Sequence, residues 1–234
     1  MQTKNITGNG KIVVVKNGIY VSHKGEELTF GFPIIGPDYF SNVMGKIDGE
    51  KLSRPTTAQT LCLVDLALKN PDEKHCKDIL SKLRNDWFWT STENLWGEDD
   101  VIVYDNVDGK MPSRRKDLIK RYKDGDKAVR IVPYWFKTEI QSMKDLLKNP
   151  YVIAQVGDKN MLDVVRRVAE GLGKKDSSLC TLNPTQDDDV KGKRYTTLNS
   201  YLDGGRLVLD SDCGHLDMGG CASGVYILTT AQNK

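Results

Sequence analysis

The chain has 234 residues, 28% of them charged and 38% hydrophobic, which suits a soluble globular protein able to bury the core of one elaborated domain or two small ones. A net charge of +2, with Lys and Arg matched by Asp and Glu along most of the chain, gives no electrostatic case for a nucleic-acid partner. No run approaches the roughly 18 apolar residues of a membrane span, and Met1-Gln2-Thr3-Lys4-Asn5 lacks the apolar core of a signal peptide, so no membrane insertion is expected.

The first 35 residues read as strands: Lys11 to Val15, Gly18 to Val21 after a Lys16-Asn17 turn, and Leu28 to Phe32, stopped by Pro33. Gly36 to Ser53 is rich in Gly, Pro, Asp and Asn and reads as a loop with at most one short strand. Thr56 or Thr57 caps a helix with Leu61, Val64, Leu66 and Leu68 on its apolar face, ended by Asn70-Pro71. Pro71 opens a second helix, with Ile79, Leu80 and Leu83 as its stripe. Trp87-Phe88-Trp89 follows directly. Its rings can stack on a sugar or a base, but alternating rings on a strand also anchor a sheet to helices, and core packing is the preferred reading. Trp96 and Val101 to Tyr104 continue that sheet.

From Ser113 the texture changes. Ser113 to Lys123 reads as a helix with Leu118, Ile119 and Tyr122 inward; its basic runs, Arg114-Arg115-Lys116 and Lys120-Arg121, read as a solvated face. Ala128 to Phe136 reads as a bent or edge strand because of Pro133. Thr138 to Lys148 reads as an amphipathic helix, Tyr151 to Val156 as a buried strand, and Lys159 to Leu172 as a helix with Leu162, Val165, Val168 and Ala169 inward. Ser177 to Gly192, with Pro184 and Asp187-Asp188-Asp189, reads as a surface loop, and Tyr195 to Tyr201 leads into a closing hairpin.

That hairpin has two apolar brackets, Arg206 to Leu209 and Gly224 to Leu228. Between them lie Asp210, Ser211, Asp212, Cys213, Gly214, His215, Leu216, Asp217, Met218, Gly219, Gly220, Cys221, Ala222 and Ser223, without a hydrophobic period of either kind. Lys, Glu, Gln, Met and Trp fill about a fifth of the chain, yet from Gly205 to Ala231 only Met218 belongs to that set. An asparagine codon mutated only at its adenines keeps a pyrimidine third base. It then reaches Asp, Ser, Cys, Gly, His, Tyr and Ala but none of those five. Met218 is therefore expected to be fixed scaffold. The alternative is a glycine-rich hairpin whose composition arose by chance.

This run, framed by Gly-Gly-Arg-Leu-Val-Leu and Gly-Val-Tyr-Ile-Leu, resembles the variable proteins of diversity-generating retroelements, in which a reverse transcriptase rewrites adenine-derived codons. The whole chain resembles the archaeal and archaeal-virus members, which carry a Trp-aromatic-Trp segment mid-chain, here Trp87-Phe88-Trp89. The resemblance implies an α+β, C-type-lectin-like domain of the formylglycine-generating-enzyme-type subclass. It implies one domain over 1–234, with 112–192 as an α-rich insertion and loop region and 203–228 as the variable terminal hairpin. It also implies a display role for Asp210, Ser211, Asp212, Cys213, Gly214, His215, Asp217, Gly219, Gly220, Cys221, Ala222 and Ser223, held in register by Leu207, Leu209, Val225 and Ile227. The partner it implies is a protein or glycan on another cell or host surface, with the protein virion-associated or cytoplasmic before assembly.

Other chemistry is weaker. Asp-Ser-Asp-Cys-Gly resembles the opening of a calcium loop but lacks the distal bidentate glutamate. Cys213, His215 and Cys221 have no obvious fourth zinc ligand, and the five cysteines form no CxxC pair. Asp210, Asp212, Cys213 and His215 form the alternative, a small metal- or cysteine-dependent enzyme, although no orienting group or oxyanion site can be named. No cofactor is expected. His23 and His75 read as surface or packing histidines.

Overall fold

A computed structural model describes residues 3–4, 12–13, 18–23, 26–112, 114–173, 176–180, 192–200, 205–213 and 220–227. The strands are β1 Thr3–Lys4, β2 Ile12–Val13, β3 Gly18–His23, β4 Glu26–Gly31, β5 Ile35–Asp38, β6 Trp87–Trp96, β7 Asp100–Asp105, β8 Val129–Pro133, β9 Glu139–Ser142, β10 Asp176–Cys180, β11 Gly192–Asn199, β12 Val208–Cys213, β13 Gly220–Ala222 and β14 Val225–Ile227. The helices are α1 Phe40–Gly49, α2 Thr57–Lys69, α3 Lys74–Asn85, α4 Arg115–Lys123, α5 Met143–Leu146, α6 Pro150–Val156 and α7 Leu162–Gly171.

Helix α2 starts where a capping box forms: Gln59 N–H donates to Thr56 Oγ1 at 3.2 Å, and Thr56 N–H donates to Gln59 Oε1 at 2.9 Å. Several sequence readings are corrected, among them the surface loop expected from Ser177, whose first residues belong to β10. The loop expected over Gly36 to Ser53 contains α1, whose Phe40, Val43, Met44 and Ile47 are buried at helical spacing. The strand expected at Tyr151 to Val156 is α6, because Asn149 caps it, Pro150 occupies its first turn and Gly157 closes it at φ 71. The helix expected over Thr138 to Lys148 is the strand β9 followed by one turn, α5, capped by Ser142. In α4, Leu118 is buried but Tyr122 is exposed.

β6 is the central strand, and its two faces alternate. Phe88, Thr90, Thr92, Asn94 and Trp96 meet α2 and α6: Thr57 N–H donates to Thr92 Oγ1, and Tyr151 Oη donates to Asn94 Oδ1 at 2.8 Å. Trp87 and Trp89 pack on α1, and Leu95 on the cluster around Leu118. The expectation that Trp87-Phe88-Trp89 is core therefore holds, since each is 6% exposed or less.

The segment 112–192 holds helices α4 to α7, but it is not only an addition to the sheet. It supplies β8, β9 and β10 to the nine-stranded sheet. β7 and β8 extend it from one edge of β6, and β11, β12, β10 and β9 from the other. β8 and β9 thus stand at opposite ends of a seven-strand run, yet only residues 134–138 join them. Six flat interstrand steps would span about 29 Å, while that link reaches about 20 Å at most. The sheet must therefore curl around α5 and α6. Tyr134 and Phe136 close the curl, the first stacked on Trp96 at 5.7 Å and the second on Tyr151 at 4.6 Å.

Candidate ligand-binding face

β12 lies between β10 and β11, β13 between β5 and the start of β6, and β14 pairs with β4 in a separate three-stranded sheet. The two brackets of the expected hairpin therefore do not pair. β11 and β6 separate β12 from β13, three interstrand steps or about 14 Å. Each bracket instead completes a different part of the scaffold. Leu207, Leu209 and Val225 are buried, as their register role requires.

The expected display positions divide at Gly220. Upstream, Asp210 is half-buried and Ser211 is 1% exposed. Asp212 and Cys213 complete β12, while Gly214, His215, Asp217 and Gly219 lie outside the described residues. Downstream, Gly220, Cys221, Ala222 and Ser223 are all buried. A solvent-facing role for Ser211, Gly220, Cys221, Ala222 and Ser223 is thus corrected. A Cβ on Gly220 would approach Trp89 Nε1 at 2.5 Å. Cys221 joins the main core, Ala222 packs with Trp87 and Trp89, and Ser223 Oγ donates to the Gly31 carbonyl at 2.7 Å. A Cβ on Gly224 would meet Leu52 Cβ at 2.9 Å. Burial, with Asp86 adding to it, pushes the Cys221 thiol up to about 11, so the sulfur stays protonated near neutral pH.

Cys213 is in register with Tyr195 on β11, and Tyr195 with Glu93 on β6. Around Thr196 the pairing slips: β12 has two residues and β6 three where β11 has only Thr196. The irregularity turns Thr196 into a closed ring of side chains. Asn94 Nδ2 donates to Thr196 Oγ1 at 2.9 Å, Thr196 Oγ1 donates to Gln155 Oε1 at 2.8 Å, and Gln155 Nε2 donates to Asn94 Oδ1 at 2.5 Å.

On the opposite face of β6, Glu93 is 1% exposed, receives a hydrogen bond from Asn106 Nδ2 at 3.0 Å and lies 2.6 Å from Lys193 Nζ. The same ammonium sits 5.1 Å from the Tyr195 ring centroid, and Phe40 packs on that ring at 3.8 Å. Phe40 also meets Trp89 edge-on. Asn42, then Lys46 and the Tyr39 N–H, bind Asp38 and hold its carboxyl down at about 2. Glu93, Lys193, Tyr195, Phe40 and Trp89 thus form one connected set of paired charge and interlocked rings. Sequence reasoning missed Glu93, Lys193 and Tyr195. A charge at the same strand parity as Trp87 and Trp89 was the available signal.

An open cleft of about 670 Å³ between Phe32, Pro33 and the first half of α3 contains none of the expected display residues. His75 packs there against Phe32, the rings tilted with centroids 4.7 Å apart.

No family model and no curated protein matches the chain. A solved structure described as "Accommodation of massive sequence variation in Nanoarchaeota by the C-type lectin fold" resembles it over 83% of this chain and 97% of that one, with 12% identity and a TM-score of 0.53. The chain has a C-type lectin fold.

Proposed function

We propose that the chain is a ligand-binding variable protein whose exchangeable side chains lie between Asp210 and Gly219. In this reading a retroelement diversifies those codons, and the partner is a protein or glycan on another cell or host surface. The observation that carries the reading is the boundary at Gly220. A run depleted in Lys, Glu, Gln and Trp enters a strand whose residues are buried and sterically locked by Trp87, Trp89, Leu52 and Gly31. Exchange before that boundary leaves the locked core untouched, and a rigid support lowers the ordering cost of binding. A solved protein of like fold, described by its massive sequence variation, supports the same reading. Ser211, being buried, and Met218 are expected to stay constant within the window.

Sequencing several copies of the gene from one population tests this. The expected result is a near-identical template repeat with adenines at the varied codons, a linked reverse transcriptase, and differences concentrated before Gly220. A locus without template or transcriptase, or copies that differ evenly along the chain, ends the reading.

A further inference from the structure

Charge on this protein is unevenly placed. Between residues 114 and 127 seven Lys and Arg stand against Asp117, Asp124 and Asp126, a local +4 in a chain whose total is +2. The centre of that segment is α4, held by its inner face: Leu118 is fully buried in a cluster with Ile102, Tyr104 and Val129. Lys116, Lys120 and Lys123 are exposed on the outside. The three lysines recur at i, i+4 and i+7, which makes them one stripe along the helix.

The arginines of the segment are engaged. Arg115 pairs with Asp100, Arg114 with Asp117 at 2.7 Å and Arg121 with Asp126 at 2.7 Å. Among the described residues Lys116, Lys123 and Lys127 have no acidic partner within 4.0 Å, and Lys120 has only a loose one, Asp124 at 3.9 Å. The uncommitted charge is therefore all lysine: point charges on flexible stems, suited to diffuse attraction and unable to make the bidentate fork of arginine. Tyr122, 48% exposed, is not part of that stripe: it follows Leu118 by four residues and flanks the packed side of the helix.

We propose that the outer face of α4 is an electrostatic docking surface for an anionic lipid bilayer, with Lys116, Lys120 and Lys123 on headgroup phosphates. A convex helix face carrying a stripe of lysines fits a plane of charge. Single-stranded nucleic acid is held instead in a basic groove with successive stacking rings, and the arginine forks that would read bases are tied in ion pairs. Attraction of a lysine cluster to an anionic leaflet needs no insertion, and no helix among the described residues is long and apolar enough to cross a membrane. The proposal does not depend on diversification of the C-terminal window.

The test is co-sedimentation of the full chain with phosphatidylcholine vesicles and with the same vesicles containing phosphatidylglycerol. Binding is expected only to the anionic vesicles and is expected to weaken with salt. Combining Lys116→Gln, Lys120→Gln and Lys123→Gln should lower partitioning on the order of a hundredfold. Combining Lys144→Gln, Lys148→Gln and Lys159→Gln, at exposed positions elsewhere, removes the same charge and should leave partitioning nearly unchanged. Both variants should melt with the parent protein. Three results overturn the proposal: no binding to anionic vesicles, equal losses in the two variants, or binding of an oligonucleotide at lower concentration than lipid.

Discussion

Gly220 is pressed against Trp89: a Cβ added there would stand 2.5 Å from the indole Nε1 and 2.9 Å from the Trp87 carbonyl oxygen. Trp89 cannot retreat, because Phe40 holds it edge-on and its Nε1 donates to the Asp38 carbonyl at 3.3 Å. Gly220→Ser should therefore overpack the site and destabilise the protein by about 1–3 kcal/mol. Urea denaturation of the variant and its parent checks this, and a Gly220→Ser protein as stable as its parent would remove the boundary.

The ring at Thr196 predicts a difference between two identical substitutions. Thr196→Val leaves the Asn94 amide donor and the Gln155 carbonyl acceptor unpaired inside the protein, at a cost of about 1–3 kcal/mol. Thr29→Val removes a buried hydroxyl that has no partner among the described residues and should be neutral or stabilising. Thermal melts of both proteins decide the matter.

Lys193→Met takes the paired ammonium from the buried Glu93 carboxylate and should cost about 1–3 kcal/mol. Adding Glu93→Gln to that background should restore part of the loss, since an uncharged amide needs no counter-ion. If the second change deepens the loss instead, Glu93 is not the group that Lys193 serves.

Acid sensitivity should localise partly to the α2–α7 contact. Burial acts to raise the Asp65 carboxyl, but hydrogen bonds from Arg167 and Lys69 outweigh it, and the net shift is downward. A carboxylate lowered on folding contributes stability above its unfolded value, near 4, and loses it as pH falls through the lower folded value. Asp65→Asn should therefore be less stable than the parent at neutral pH, with the two melting temperatures converging in acid. Parallel melting curves at every pH would show that Asp65 contributes no linked proton.

Much of the scaffold was legible because its signals are local. The Thr56–Gln59 box, the alternation of Trp87, Phe88 and Trp89, and the periodic stripe of α3 each state their own structure. α1 carried the same kind of stripe at Phe40, Val43, Met44 and Ile47, but Gly45 and Gly49 and the flanking turn residues masked it. Asn149-Pro150 reads equally as a helix stop and as a cap followed by a first turn, and Gly157 resolves the choice only once α6 packs. β9 forms because β10 lies beside it, which no local pattern contains. The terminal run misled most. Gly220 and Gly224 look like turn residues, but they are small because β6 and Leu52 approach them closely.

The position of β13 also bears on how the protein is assembled. During synthesis the edge of β5, the first half of β6 and the outer side of β4 stay open until residues 220–227 emerge. Long-range pairing of this kind delays folding and leaves strand edges available to neighbouring nascent chains. Ribosome-stalled chains ending before Gly220 should therefore be caught by chaperones or aggregate, and extension past Ile227 should release them. If, as proposed, the residues just ahead of this keystone strand are exchanged, the strand itself must be left untouched, because every copy needs it to finish folding.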